Sequence, residues 1–280
     1  MPIVTISRGT LSGGEALAHC LSERLGYPAI SREVIKDAAS LYGVSESDIS
    51  EQLEKEPKVI ERILGEKRRL YLIAFQSALA EHALKGNFIY HGHAGHLLLR
   101  GVPNVFKVRL LAPLNYRVKK VMEKRNFTEA EAKKYIEDID KKRIRWTKFL
   151  YDVDWTDPSL YDAVINLENI TIDTACGMIV YSLNQDEFKE TPEKRKSIEN
   201  FALSCKVKAK LALNERTKGI ELEVEADGGK VSIWGKLITT TGPFATGIRI
   251  SQAEIMKIAQ SVPGVKEVQI ELEETPTAVE

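Results

Sequence analysis

The chain has 280 residues, with 40 Lys and Arg against 40 Asp and Glu, a formal net charge of zero and 43% hydrophobic residues. At about 150 residues per domain the length corresponds to about two domains. Balanced charge excludes a globally basic nucleic-acid coat and an acidic disordered tail, but leaves room for a local basic site.

The opening Met1-Pro2-Ile3-Val4-Thr5-Ile6-Ser7-Arg8 has neither the basic nor the apolar region of a signal peptide. No run of about 20 apolar residues points to a transmembrane helix. Cys20, Cys176 and Cys205 are scattered, which fits buried thiols in a reducing compartment better than a zinc site. The expectation is a cytoplasmic protein.

Ile3 to Ser7 reads as a short strand, followed by the turn Gly9-Thr10-Leu11-Ser12-Gly13-Gly14. Glu15 to Leu25 has helical spacing, with Leu17, Leu21 and Leu25 on one face and Gly26 as its stop. Strand, glycine-rich turn and helix open a phosphate-binding βα unit. Further on, helices are expected over Ser31 to Tyr42 and over Glu54 to Lys85, the latter broken near Pro57 and Gly65. Phe88-Ile89-Tyr90 and Phe106 to Leu111 are strand patterns, and Asn115 to Lys124 and Thr128 to Lys148 are charged helices. Thr128-Glu129-Ala130-Glu131 carries a capping box. Ala163 to Asn166 is a late strand, and Thr171 to Leu183 the helix after it. The alternation implies an α/β parallel sheet with helices on both faces.

Residues 189–196 are polar, contain Pro192 and read as a linker between a first domain, 1–188, and a second, 197–274. The second has the order helix, strand, strand, helix, strand. Asp227-Gly228-Gly229 between two alternating runs is a hairpin signal.

Gly9-x-x-x-x-Gly14 has the spacing of a Walker A loop but lacks the lysine and hydroxyl that normally follow. By this count Glu15 stands in the lysine position and Ala16 in that of the hydroxyl. A carboxylate about 4 Å from a phosphate charge costs about 4 kcal/mol at an effective dielectric near 20, against about 0.3–1 kcal/mol from a surface helix dipole. Glu15 must therefore swing away, chelate a metal or weaken nucleotide binding. The competing interpretation is a glycine-rich turn before an acidic first helical turn.

Thr5-Ile6-Ser7-Arg8, Ser12-Gly13-Gly14, Leu25-Gly26-Tyr27-Pro28, Pro103 to Arg109, Tyr116-Arg117-Val118, Asp140 to Arg143 and Tyr161 to Asn166 run in order over about the first 180 residues. Together they resemble the cytidylate kinase-like family, a branch of the P-loop nucleoside monophosphate kinases. The resemblance implies a P-loop NTPase-type fold, ATP with Mg2+, and a nucleotide acceptor such as CMP or dCMP. It places Ser12, Gly13, Gly14, Glu15 and Ala16 at the phosphate loop, and Arg117, Asp140, Arg143 and, more weakly, Arg145 at the transferring phosphoryl. Arg32, His91, Gly92 and His93 fall on the acceptor side. There the family carries Asp-Gly-Arg, of which this chain keeps only the glycine.

Phosphoryl transfer needs positive charge around the equatorial oxygens, and Lys141, Lys142, Arg143, Arg145 and Lys148 concentrate cations in one helical stretch. A solvated charged helix is the alternative, since Glu131, Glu137 and Asp138 lie close by. His91, His93 and His96 lie at a strand end, where contact with a bound nucleotide is expected ahead of metal binding.

Residues from about Ser197 to Glu273 resemble a BON domain through Gly228 to Gly235 and Val262 to Val268. This implies a small-ligand or protein-docking module. Three functions follow: an ATP-dependent cytidylate-like kinase, a degenerate kinase that senses a nucleotide or phosphorylated metabolite through the C-terminal module, or a structural adaptor. No nucleic-acid reader motif is present.

Overall fold

The computed structural model describes residues 2–31, 33–47, 65–92, 94–218, 220–241 and 252–278. Chain contacts gather them into two compact units. The first takes Met1–Val34 and Lys85–Thr191; the second takes Pro192–Glu280 together with chain drawn from between residues 35 and 84.

The first unit is a five-stranded sheet of β1 (Ile3–Arg8), β2 (Ala29–Ile30), β3 (Phe88–Tyr90), β4 (Val105–Leu111) and β5 (Ala163–Asn166). The order is β2-β3-β1-β4-β5 and every pairing is parallel. β1 lies centrally, with Ile3 opposite Phe88 on one side and Val105 on the other. Its alternation sorts two environments. Val4 and Ile6 pack with Leu17, Ala18 and Leu21 of α1 (Gly14–Leu25) and with Ala175, Cys176 and Ile179 of a later helix (Ile172–Leu183). Thr5 and Ser7 face the opposite way, toward the short helix Gly95–Leu98. The chain leaves β1 at the carboxyl edge of the sheet, beside the point where the connections cross from β3 over β1 to β4. Open α/β sheets bind their ligands at such a switch point. This is the P-loop NTPase-type parallel fold.

Among the described residues the α-helices are, in chain order, α1, α2 (Glu33–Tyr42), α3 (Gly65–Lys85), α4 (Gly95–Leu98), α5 (Leu114–Arg125), α6 (Glu129–Tyr151), α7 (Ile172–Leu183), α8 (Pro192–Leu213) and α9 (Gln252–Gln260). α6 begins at the expected capping box: the Thr128 side chain accepts from the Glu131 N–H, and the Glu131 carboxylate accepts from the Thr128 N–H. α3 is buried at Leu72, Ile73, Ala74, Phe75, Ala78, Leu79, Ala80 and Ala83. That set runs around the helix rather than along one stripe, as in a core helix. The expected break near Pro57 lies outside the described residues. β2 and α4 were not anticipated, because two and four residues carry too little periodicity.

In the second unit, β6 (Glu221–Asp227) and β7 (Lys230–Thr241) pair antiparallel, and β7 pairs parallel with β8 (Glu267–Ala278). The Asp227–Lys230 turn has Gly228 at φ 59° and Gly229 at φ 98°. Two successive positive φ values are what a tight hairpin turn demands. Val207, Leu211, Leu222, Val224, Val231, Ile233, Ile255 and Ala259 form its core. α8 starts at Pro192, so the expected linker is helical from residue 192 onward; proline suits a first helical position, where its missing N–H costs nothing. α3 belongs here too. Ile73 packs on Ala209 and Ala212, Ala80 on Ala202 and Cys205, and Glu81 pairs with Lys206 at 2.6 Å. Among the described residues no helix is long and apolar enough to cross a membrane.

A Cβ on Gly235 would overlap the Glu221 carbonyl oxygen of the neighbouring strand. Gly235→Ala is expected to destabilise the second unit by about 1–3 kcal/mol, read as a lower thermal midpoint by circular dichroism.

Candidate active site

Residues 9–13 link β1 to α1. Gly13, at φ 86°, is the N-cap of α1 and makes no side-chain cap, so the first helical N–H groups stay available to an anion. Gly9 is tightly packed: a Cβ there would sit 3.0 Å from Ser12 Oγ and 3.1 Å from the Arg117 guanidinium, which would have to shift. The Ser12 side chain is buried under the loop.

Asp140 on α6 holds this loop. It accepts from both the Thr10 N–H and the Thr10 hydroxyl at 3.0 Å, and from Arg117 Nη2 on α5. Arg117 Nε donates to the Thr10 carbonyl at 2.8 Å. One turn further along α6, Arg143 Nη1 donates to the Arg8 carbonyl at 3.0 Å and lies 3.9 Å from Asp140 Oδ1. Burial, with Arg8 close by, pushes the Arg143 guanidinium down to about 10. The structure thus brings Arg117, Asp140 and Arg143 together at the loop. It does not bring Arg145 there: two residues beyond Arg143, it lies on the exposed side of α6. Lys141 is also outside, 3.5 Å from Glu137.

Glu15 swings away. Its side chain is 76% exposed and sits 3.3 Å from Lys124. Ala16 is exposed and contributes no hydroxyl. A Walker-type magnesium site needs that hydroxyl, and among the described residues no three His, Cys, Asp or Glu side chains gather to hold a metal. The described side chains do not form a magnesium cage.

The cation beside the loop is Arg8, which sequence reasoning quoted only as part of a longer match. Its Nη2 donates to the His91 carbonyl at 3.3 Å. Its Nε is buried with no hydrogen-bond partner among the described residues. Its stem lies over Gly14, where any Cβ would overlap Arg8 Cδ and Nε. Burial lowers the Arg8 pKa, while Glu15 and Tyr90 raise it. The signal that could have found it is parity. Residues 4, 6 and 8 of β1 face α1, so Arg8 points at the first residue of that helix.

The histidines separate. His91 follows β3, with Nδ1 buried and unpartnered among the described residues; burial and Arg8 lower its pKa, against Glu15 and Glu33. Gly92 is packed on Tyr90, whose ring a Cβ would strike. Arg32 and His93 lie outside the described residues. His96 is buried on α4, its Nδ1 2.8 Å from Ser7 Oγ and its ring 4.6 Å from that of Tyr161.

Burial, with Lys107 and Arg109 close by, pushes His96 down to about 4. Its ordinary value is near 6.5. Between those two values the unfolded chain takes up a proton that the native one refuses, so stability is complete above about pH 6.5 and falls as pH drops toward 4. The loss expected from this residue is up to about 3 kcal/mol. Denaturant unfolding at pH 7.5 and pH 5, followed through the buried Trp155, should show it, and His96→Gln should flatten the difference.

The cytidylate kinase-like family matches residues 3–169. The cytidylate kinase of Methanosarcina acetivorans is 32% identical over 168 residues, which cover 59% of this chain and 87% of that protein. That of Methanoregula boonei is 26% identical over 192 residues, covering 68% and 97%. A solved structure of an uncharacterized protein from Eubacterium ventriosum has the same fold, with a TM-score of 0.52 at 22% identity, covering 66% of this chain and 99% of that one. With sheet, loop and arginine cluster in the family's order, the chain belongs to the cytidylate kinase-like family.

Proposed function

We propose that this protein is an ATP-dependent nucleoside monophosphate kinase of the cytidylate type. The observation that carries the reading is the convergence of three guanidinium groups, Arg8, Arg117 and Arg143, on one glycine-rich loop, with Asp140 as the only carboxylate bonded to it among the described residues. An excess of fixed positive charge beside open helical N–H groups suits a polyphosphate and little else.

In the reaction, an oxygen of the acceptor monophosphate attacks the γ-phosphorus of ATP. The bond to the bridging oxygen breaks, ADP departs with that electron pair, and a nucleoside diphosphate forms with no net proton transfer. The loop N–H groups hold the donor phosphates. Arg117 and Arg143 stabilise charge on the equatorial oxygens, and Asp140 keeps α6 docked on the loop. Such positioning and electrostatic stabilisation is most of what phosphoryl transfer asks of a protein. Mg2+ would come with the nucleotide and would neutralise part of its phosphate charge; no side chain of the described loop is assigned to it. His91 and Gly92, with Arg32 and His93, are assigned to the acceptor side, and CMP or dCMP is the first acceptor to try. Free Cys20, Cys176 and Cys205 suit the cytoplasm. We assign 1–188, apart from the chain between residues 35 and 84 that gathers with the second unit, to the kinase part, and 197–274 to a BON-like module for a small ligand or a protein partner.

A second reading is a catalytically degenerate nucleotide or phosphometabolite sensor. It is favoured by the first turn of α1, where Glu15 and Ala16 supply neither lysine nor hydroxyl.

A coupled assay with ATP and a panel of monophosphates decides between them. The kinase reading expects turnover with CMP or dCMP, and a loss of about 100-fold or more in Arg143→Ala. ATP binding by calorimetry with no turnover on any monophosphate would establish the sensor instead.

A further inference from the structure

Resting on the kinase reading, we propose that Arg8 is the phosphate-binding cation of this loop, delivered from the end of β1 to the place that a lysine at the start of α1 would otherwise take.

A phosphate-loop lysine follows the last loop glycine and leaves from the beginning of the helix. Two positions qualify here. Residue 15 is turned to solvent, with Lys124 as its partner. Residue 14 is the first residue of α1, directly after the left-handed Gly13. Position 14 has no side chain, and the space its side chain would need holds the Cδ and Nε of Arg8. Arg8 therefore stands where the side chain of residue 14 would begin, with its guanidinium between the first residue of α1 and the His91 carbonyl.

Three further features fit a built cation site. The Arg8 carbonyl is bonded by Arg143, so the residue is fixed at its backbone by the helix that also holds the loop. Its Nη2 is anchored on the His91 carbonyl, which aims the guanidinium plane. Its Nε is buried and lacks an acceptor among the described residues. A buried donor of a charged group without an acceptor is costly, which marks the guanidinium as held in place for a charge that the described residues do not supply. Arginine also explains the glycine: any side chain at position 14 would evict the cation. A guanidinium differs from an ammonium in grasping two oxygens at once and in staying charged when desolvated. In the transfer step it would touch non-bridging oxygens of the donor phosphates as charge builds toward the departing ADP.

The test uses the full chain, with Arg8→Met, Arg8→Ala and the double variant Arg8→Ala/Gly14→Lys. Methionine keeps much of the stem volume over Gly14 and removes the charge. Arg8→Met is expected to lower kcat about 100-fold or more at an unchanged thermal midpoint. The double variant opens the space over residue 14 and returns a cation from the helix side, so it should run at least about tenfold faster than Arg8→Ala. A purely structural Arg8 would not be rescued by a lysine on another element. Arg8→Met within about threefold of the parent, or a double variant no faster than Arg8→Ala, overturns the proposal.

The parent protein separates this from failure of the kinase reading. If the parent binds ATP without turnover, the kinase reading falls. The proposal then stands only if Arg8→Met weakens ATP binding about tenfold or more by calorimetry. If the parent neither turns over nor binds ATP, both fall.

Discussion

The Asp140 carboxylate is the joint on which the candidate site depends. It is partly buried and takes three donors: the N–H and hydroxyl of Thr10, and Arg117. A carboxylate so engaged is held in place by charge-assisted bonds, which are stronger than neutral ones. Through it α6 is tied to the loop, α5 to α6, and the loop to a single path. Arg143 repeats the tie one turn along, at the carbonyl of Arg8. Neutralising Asp140 would leave two buried guanidinium groups facing each other across a free loop.

α6 is also secured at both ends. The capping box of Thr128 and Glu131 closes its start. Beyond its end, the Trp155 carbonyl accepts from the Tyr161 hydroxyl at 2.7 Å, and Arg109 of β4 lies 5.6 Å over the Trp155 ring. The Tyr161 ring packs tilted against His96, and His96 bonds Ser7, the residue before Arg8. The polar face of β1 therefore connects the segment after α6 to the strand that presents Arg8. The apolar face connects the same strand to α1. One six-residue strand orients both sides of the loop, which explains why Thr5 and Ser7 are buried in a strand whose other face is aliphatic.

What was legible in the sequence is what local rules determine. The strand, glycine turn and helix at the start, the capping box at Thr128, and the hairpin at Asp227 to Lys230 each rest on residues within about ten positions of one another. The pairing of Asp140 with Thr10 spans 130 residues, and no local pattern announces it; the family resemblance placed Asp140 only at the transferring phosphoryl. The role of Arg8 was hidden for a different reason. Counting from Gly9 put the anomaly at Glu15, whereas the helix begins at Gly14, and a missing side chain leaves no signal in a motif. The place of α3 was equally hidden. Its apolar residues show that it is buried, but nothing in its own spacing shows that α8 is what covers Ile73 and Ala80.

Zero net charge and a strongly basic site are compatible because the carboxylates are spent elsewhere. Glu129, Glu137, Asp152, Asp186 and Glu199 each pair with a lysine or arginine three or four residues away on the surface. Exposed pairs of this kind add little stability, yet each neutralises a cation that would otherwise draw anions to the wrong place. At the loop the ratio reverses, with three guanidinium groups around one bonded carboxylate. The local field at the loop is then set by that surplus, partly sheltered from salt. Seen this way, Glu15 beside Lys124 is one more surface pair, and the charge that matters sits one strand earlier, on Arg8.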